Sequence, residues 1–250
     1  MNAEFQDAAS MFPDPFRLLV RETSTSTNDD LRKLATDGAP EGLVLLALDQ
    51  TQGRGRRGAA WFSKPGESLA FSILVRPEEP KSLWPRLALA AGAAVAEAVE
   101  SFGVEAGIKW PNDVWVRGLK IAGILVEAGK DFAIVGIGLN VGCREFPGEV
   151  AEIATSLAIE TAADIPRAEV LGAVIRRFAA MQRQIGAEFD LLLSSVREHC
   201  VLTGKRVSLL TPGGVREGMV EGIAAGGELM FRTESGLEHL IQADEVRILG

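Results

Sequence analysis

Apolar positions along this chain change period several times, and each change marks an element. Residues 43–48 form a short continuous apolar run, which predicts a buried strand. Residues 68–75 read the same way, and Pro77 ends that run. Leu87, Ala91, Ala94, Val95, Ala98 and Phe102 then recur at helical spacing, giving a helix packed on a sheet. Three further strands are predicted over 107–116, 120–127 and 131–140, with Arg117-Gly118-Leu119 as a hairpin turn between the first two. Val170, Leu171, Val174, Ile175, Phe178, Met181 and Ile185 outline a long amphipathic helix, and another covers Phe189–His199. Near the start, Ser26 or Thr27 before Asn28-Asp29-Asp30 and the apolar Leu31, Leu34 and Ala35 reads as a capped helix start.

After Cys200 the character changes. Gly204, Gly213, Gly214, Gly218, Gly222, Gly226, Gly227 and Gly236 punctuate the short runs 207–210, 219–223, 229–232 and 246–249, a small all-β module with tight turns. Pro13 and Pro15 discourage regular structure at the other end. The expected organisation is a leader over 1–15, a catalytic-size domain over 16–200 and a β module over 201–250, with no internal repeat.

Composition narrows the functional classes. Hydrophobic residues at 47% and charged residues at 24% are ordinary for a globular protein. A net charge of −8 with a pI near 5.0 leaves no electrostatic footprint for nucleic acid. Glu4 and Asp7 stand where a signal peptide would need positive charge, and the most apolar segment, 87–99, is too short to span a bilayer. A cytoplasmic protein is expected. Cys143, Cys200, His199 and His239 lack metal-ligand spacing, so no protein-built metal site is expected and both histidines read as structural, without a carboxylate partner.

Against that acidic background, Gly53-Arg54-Gly55-Arg56-Arg57-Gly58 concentrates positive charge in a loop whose glycines let backbone approach a ligand closely. Alone it fits either a solvated turn or an anion-binding loop. Later come Lys109-Trp110-Pro111-Asn112-Asp113, Lys120-Ile121-Ala122-Gly123-Ile124-Leu125-Val126-Glu127 and Gly136-Ile137-Gly138-Leu139-Asn140. In order and spacing these four segments closely resemble the catalytic domain of the biotin–protein ligases, from about Arg21 to the C-terminus.

The resemblance implies an α+β fold: a mixed β-sheet flanked by helices, like that of class II aminoacyl-tRNA synthetases and biotin–lipoate ligases, plus a C-terminal SH3-like β-barrel. It implies an enzyme that joins biotin to ATP as biotinyl-5′-AMP and passes biotin to a lysine of a biotin carboxyl carrier domain, with Mg²⁺ neutralising the triphosphate. Both steps crowd negative charge, which positioned cations stabilise best where water is excluded. By resemblance Lys109 is the electrostatic clamp between the biotin carboxylate and the α-phosphate, and Arg56 contacts the phosphate. Ser26, Thr27, Asn28 and Gln50 would meet the ureido ring; Gly53, Arg54, Gly55 and Gly123 would line the biotin pocket. Trp61, Asn112 and Asn140 would meet the adenylate, although Trp61 could instead be a core residue beside Phe62, and Asn112 and Asp113 could simply cap their turn. Arg57 reads equally as ligand-facing or solvated, and Lys120 as a surface lysine at a strand start.

The nearest alternative enzyme is a lipoate or octanoate ligase of the same fold. A biotin-binding repressor is disfavoured by the acidic charge and because the catalytic pattern begins almost at once, leaving no expected room for a DNA-binding domain. A non-catalytic biotin binder is disfavoured by Lys109 and Arg56. Monomer and homodimer are both open, and no membrane is expected as partner.

Overall fold

The computed structural model describes residues 3–5, 8–211 and 213–249. The strands are β1 (Arg17–Ser24), β2 (Leu43–Gln50), β3 (Ser68–Val75), β4 (Gly107–Lys109), β5 (Asp113–Val116), β6 (Leu119–Ala128) and β7 (Ala133–Asn140), then β8 (Arg206–Thr211), β9 (Gly214–Ile223), β10 (Leu229–Thr233), β11 (Gly236–Leu240) and β12 (Glu245–Ile248). The helices are α1 (Thr27–Thr36), α2 (Arg86–Glu100), α3 (Leu157–Thr161), α4 (Arg167–Met181) and α5 (Phe189–His199). Among the described residues the first seven strands form one mixed sheet, ordered β1-β2-β3-β7-β6-β5-β4. Only β1 and β2 run parallel, joined through α1; the remaining neighbours are antiparallel.

Side-chain alternation sends the two faces of this sheet to different layers. Leu69, Phe71 and Ile73 of β3 join Val95, Val174 and Phe178 in the large core beneath α2 and α4. Leu74 of the same strand joins Leu31, Ala35 and Ile134 in a smaller core beneath α1. Because β3 is buried on both faces, its sequence carries no alternation to read. The second sheet, ordered β11-β10-β9-β8-β12, is antiparallel and fits the SH3-like expectation.

Four elements differ from the sequence reading. The strand expected over 107–116 is two strands, β4 and β5, separated by a turn at Trp110-Pro111-Asn112. β1 was not expected, because Arg17, Arg21 and Glu22 dilute the apolar pattern of an edge strand. Within the segment read as a loose leader, residues 1, 2, 6 and 7 lie outside the described residues, but Phe5 and Ala8 are fully buried. Glu4 there pairs with Arg167, whose guanidinium also donates to the Ser68 carbonyl at 3.1 Å. Finally, His199 has the carboxylate partner that the sequence hid: its Nε2 lies 3.2 Å from Glu100 on α2. Burial lowers the His199 pKa, but the Ser195 carbonyl and Glu100 outweigh it and leave the imidazole above its ordinary value.

Candidate active site

A cleft opens on the α1 side of the large sheet, and small residues make its floor. Gly123 on β6 and Gly138 on β7 are register partners, as are Leu125 and Gly136. The ring of Trp61 lies on the paired glycines: a Cβ on Gly138 would stand 2.2 Å from Trp61 Cε2, and one on Gly123 would stand 3.3 Å from Cζ3. A Cβ on Gly136 would strike Asn28 Oδ1 at 2.2 Å. Glycine is therefore needed here for close packing, as expected for Gly123 and missed for Gly136 and Gly138.

The polar end of the cleft is built where β1 runs into α1, beside the end of β2. Ser26 is the N-cap by backbone geometry but makes no side-chain cap bond. Instead Gln50 Oε1 accepts from the Thr27 backbone N–H at 2.9 Å and from Thr27 Oγ1 at 3.1 Å. Asn28 donates from Nδ2 to Glu127 Oε2 at 2.7 Å, while its Oδ1 lies 2.6 Å from the Ser72 hydroxyl. The Ser72 hydroxyl also lies 2.7 Å from Thr27 Oγ1. The side chains of Thr27, Asn28 and Gln50 are thus oriented by one buried network of mostly neutral groups. Ser72 belongs to it without any local motif that would have revealed it, and Glu127, which closes the Lys120–Glu127 segment, was given no role in the sequence reading.

The Gly/Arg loop forms the cleft's roof. It is stapled at its base, with Trp61 N–H donating to the Gly53 carbonyl at 2.9 Å and Gly55 N–H to the Ala59 carbonyl at 2.6 Å. Each arginine reaches a different element. Arg54 pairs with Asp29 of α1 at 2.6 Å, Arg56 donates to Asn112 Oδ1 at 3.2 Å, and Arg57 pairs with Asp244 of the C-terminal module. Burial pushes the Arg56 guanidinium below its ordinary value, with repulsion from Arg57 acting the same way and Asp113 opposing.

The two lysines part company. Lys120 lines the cleft, its ammonium 2.8 Å from Asp113 and 5.6 Å from the Trp61 ring centroid. Lys109 does not line it; its ammonium sits 4.2 Å from the Trp115 ring centroid. Burial lowers the Lys109 pKa, Asp113 opposes, and Lys120 adds repulsion. Lys120, which the sequence reading placed at the surface, is thus the lysine that lines the cleft, while Lys109, expected as the clamp, is register partner of the same Asp113 with its ammonium packed on Trp115. Asn140, expected at the adenylate, stands apart from the lining residues. It is buried at the end of β7 and donates to the Thr155 carbonyl at 3.1 Å. Gly53 lies just behind the lining, against Gln50 and Trp61. Ser26, Thr27, Asn28, Gln50, Arg54, Gly55, Arg56, Trp61, Asn112 and Gly123 of the sequence reading come together in this lining, with Asp113, whose role that reading left open, beside them.

A neutral polar pocket, a glycine floor under an indole and an arginine roof define a site for a polar ring attached to an anion. The profile of the biotin/lipoate A/B protein ligase family matches residues 19–142. The chain is 32% identical to the biotin–[acetyl-CoA-carboxylase] ligase of Paracoccus denitrificans, covering 88% of this chain and 96% of that protein. It is 34% identical to the bifunctional ligase/repressor BirA of Bacillus spizizenii, over 91% of this chain and 73% of that one. The fold superposes on the biotin protein ligase of Aquifex aeolicus, solved with biotin and ATP, with a TM-score of 0.84, 33% identity and coverage of 93% and 99%. The chain belongs to the biotin/lipoate A/B protein ligase family, on its biotin–protein ligase branch.

Proposed function

We propose that this cleft adenylates biotin with ATP and that the protein then transfers biotin to a lysine of a biotin carboxyl carrier domain. The observation that supports this best is the meeting of Lys120 and Arg56 in one cleft, on Asp113 and its neighbour Asn112, with the neutral side chains of Ser26, Thr27, Asn28 and Gln50 in the same lining. A bicyclic urea needs neutral donors and acceptors, which Ser26, Thr27, Asn28 and Gln50 supply. Its carboxylate then extends toward Lys120, where the α-phosphate of ATP would also arrive. Attack of that carboxylate oxygen on the α-phosphorus forms the mixed anhydride and releases pyrophosphate. The acceptor lysine's amine later attacks the acyl carbon, and AMP leaves.

Lys120 is the clamp in this reading. Its partner Asp113 holds the ammonium in place until two anions compete for it, and the charge needed at the transition state is then pre-oriented. Among the described residues the Arg56 guanidinium is held by the neutral Asn112 amide, so it can turn to a phosphate at low cost. Trp61 supplies a flat apolar wall. Among the described residues no cluster of three His, Cys, Asp or Glu is suited to a metal ion. Asp113 and Asp244 are each engaged by a cation. Mg²⁺ would therefore arrive on the triphosphate and neutralise it there, held mostly by phosphate oxygens and water.

For the carrier, two surfaces lie beside the cleft. β5 stops pairing with β6 at Gly123 and Asn112 takes both backbone groups of Ile124, so the edge of β6 that another strand could extend begins beyond Ile124, over residues 125–128. The C-terminal module borders the same region through Ile241 and Asp244. Incubation with biotin, Mg-ATP and a recombinant carrier domain, read by intact mass, tests the whole sequence. A carrier shifted by one biotinyl group is expected; an unchanged carrier beside accumulating biotinyl-AMP would refute the transfer step.

A further inference from the structure

The C-terminal module does more than border the cleft: it contributes Asp244 to the cleft's lining. Asp244 immediately precedes β12, and its backbone N–H donates to the Leu210 carbonyl at 2.7 Å, so its position is fixed by the β8–β12 pairing. Its side chain is 7% exposed, and one carboxylate oxygen is engaged by Arg57. The other oxygen is buried with no hydrogen-bond partner among the described residues.

The loop end of this contact is equally specific. Arg57 has φ +57°, the left-handed region, between Arg56 and Gly58. A non-glycine residue holds that conformation only when its surroundings require it. The reversal separates two adjacent arginines: Arg56 faces the cleft, while Arg57 does not line it and reaches the C-terminal module instead. The two adjacent arginines are thereby of different kinds. Arg56 rests on a neutral amide and is free to change partner, whereas Arg57 rests on a buried carboxylate and is not.

We propose that Asp244 and Arg57 form a clasp by which the C-terminal module holds the Gly/Arg loop closed while Arg56 engages the anionic ligand. Both are positioning residues, acting through the loop and not on the reacting atoms. The clasp bears on retention: a reactive acyl-adenylate must be kept from water between its formation and its transfer, and a loop tied only at its base opens more often. This consequence rests on the adenylation proposed above, while the closure itself can be measured on the protein without any ligand.

The test pairs two readouts on wild type, Asp244→Asn, Arg57→Ala and the double variant. Hydrogen–deuterium exchange of residues 53–61 in the ligand-free protein should rise in each single variant by a similar factor and no further in the double, with the amides of α2 and α4 unchanged. Chased single turnovers should show bound adenylate lost about tenfold faster in each single variant, again without additivity. Asp244→Glu should recover part of the closure. Unchanged loop exchange in Arg57→Ala, or single effects that simply add, would overturn the clasp. Arg57 is half exposed, so its variant decides the matter even where Asp244→Asn perturbs folding. If wild type forms no adenylate, the proposed reaction fails, and loop exchange alone still decides for or against the clasp.

Discussion

The ammonium of Lys120 lies 2.8 Å from the carboxylate of Asp113, across the β5–β6 pair and inside the cleft. That pairing orders the reactive end of the site. Asp113 is opposite Lys109 in one register and opposite Gly123 in the other, while Trp115 is opposite Lys120. Both lysines therefore flank one carboxylate, but only one of them turns into the cleft.

Replacing the cleft-facing lysine should therefore be the more damaging change. Lys120→Ala is expected to slow adenylate formation about 10²–10³-fold in single turnovers, the scale of a lost pre-oriented electrostatic contact. Lys109→Met should slow it by less than about tenfold, since Met keeps the packing on Trp115 and the lost charge reaches the cleft only through Asp113 and Lys120. Equal losses in both would place the clamp wrongly.

Asn28 joins α1, β3 and β6 through Ser72 and Glu127. Asn28→Ala leaves a carboxylate and a hydroxyl without their partner, a loss of about 1.5–3 kcal/mol in a charge-assisted contact. The KM for biotin should rise about 10- to 100-fold, with kcat changing far less. Steady-state kinetics with ATP saturating would show this split.

The glycine floor predicts a steric phenotype. Gly138→Ala places a methyl carbon 2.2 Å from Trp61 Cε2, far inside van der Waals contact, so the ring must move. Overpacking of this kind costs about 1–3 kcal/mol. Weaker biotin binding by calorimetry and altered Trp fluorescence are expected. Retained affinity with an unmoved indole would show that the floor has slack.

His199 gives a pH dependence away from the cleft. Its pKa is raised in the folded state, so the folded protein binds the proton more tightly than the unfolded chain. The stabilisation is fully present below the ordinary value of 6.5 and is lost as pH rises through the raised value. A protonated imidazole in the last turn of a helix is worth about 0.3–1 kcal/mol. Denaturant midpoints should fall by that order between mildly acidic and mildly alkaline pH in wild type, and by less in Glu100→Gln.

Much of this was legible in the chain because it rests on local rules. Phe189–His199 and the α2 stripe follow helical spacing, and the GRGRRG loop advertises itself by charge against the acidic background. What could not be read depends on which residues meet at a distance. That Lys120 pairs with Asp113 inside the cleft while Lys109 packs on Trp115 follows from strand register and packing, not from either lysine's local sequence. Asp244 lies in a different sheet from the loop it holds, and His199 finds Glu100 only when α5 packs on α2.

The central claim is that this cleft activates biotin. Biotin-dependent ATP–pyrophosphate exchange, measured beside lipoate and octanoate, tests it most directly. Exchange with biotin alone, abolished in Lys120→Ala, is the predicted result. Exchange that prefers lipoate or octanoate, or that survives in Lys120→Ala, would contradict it.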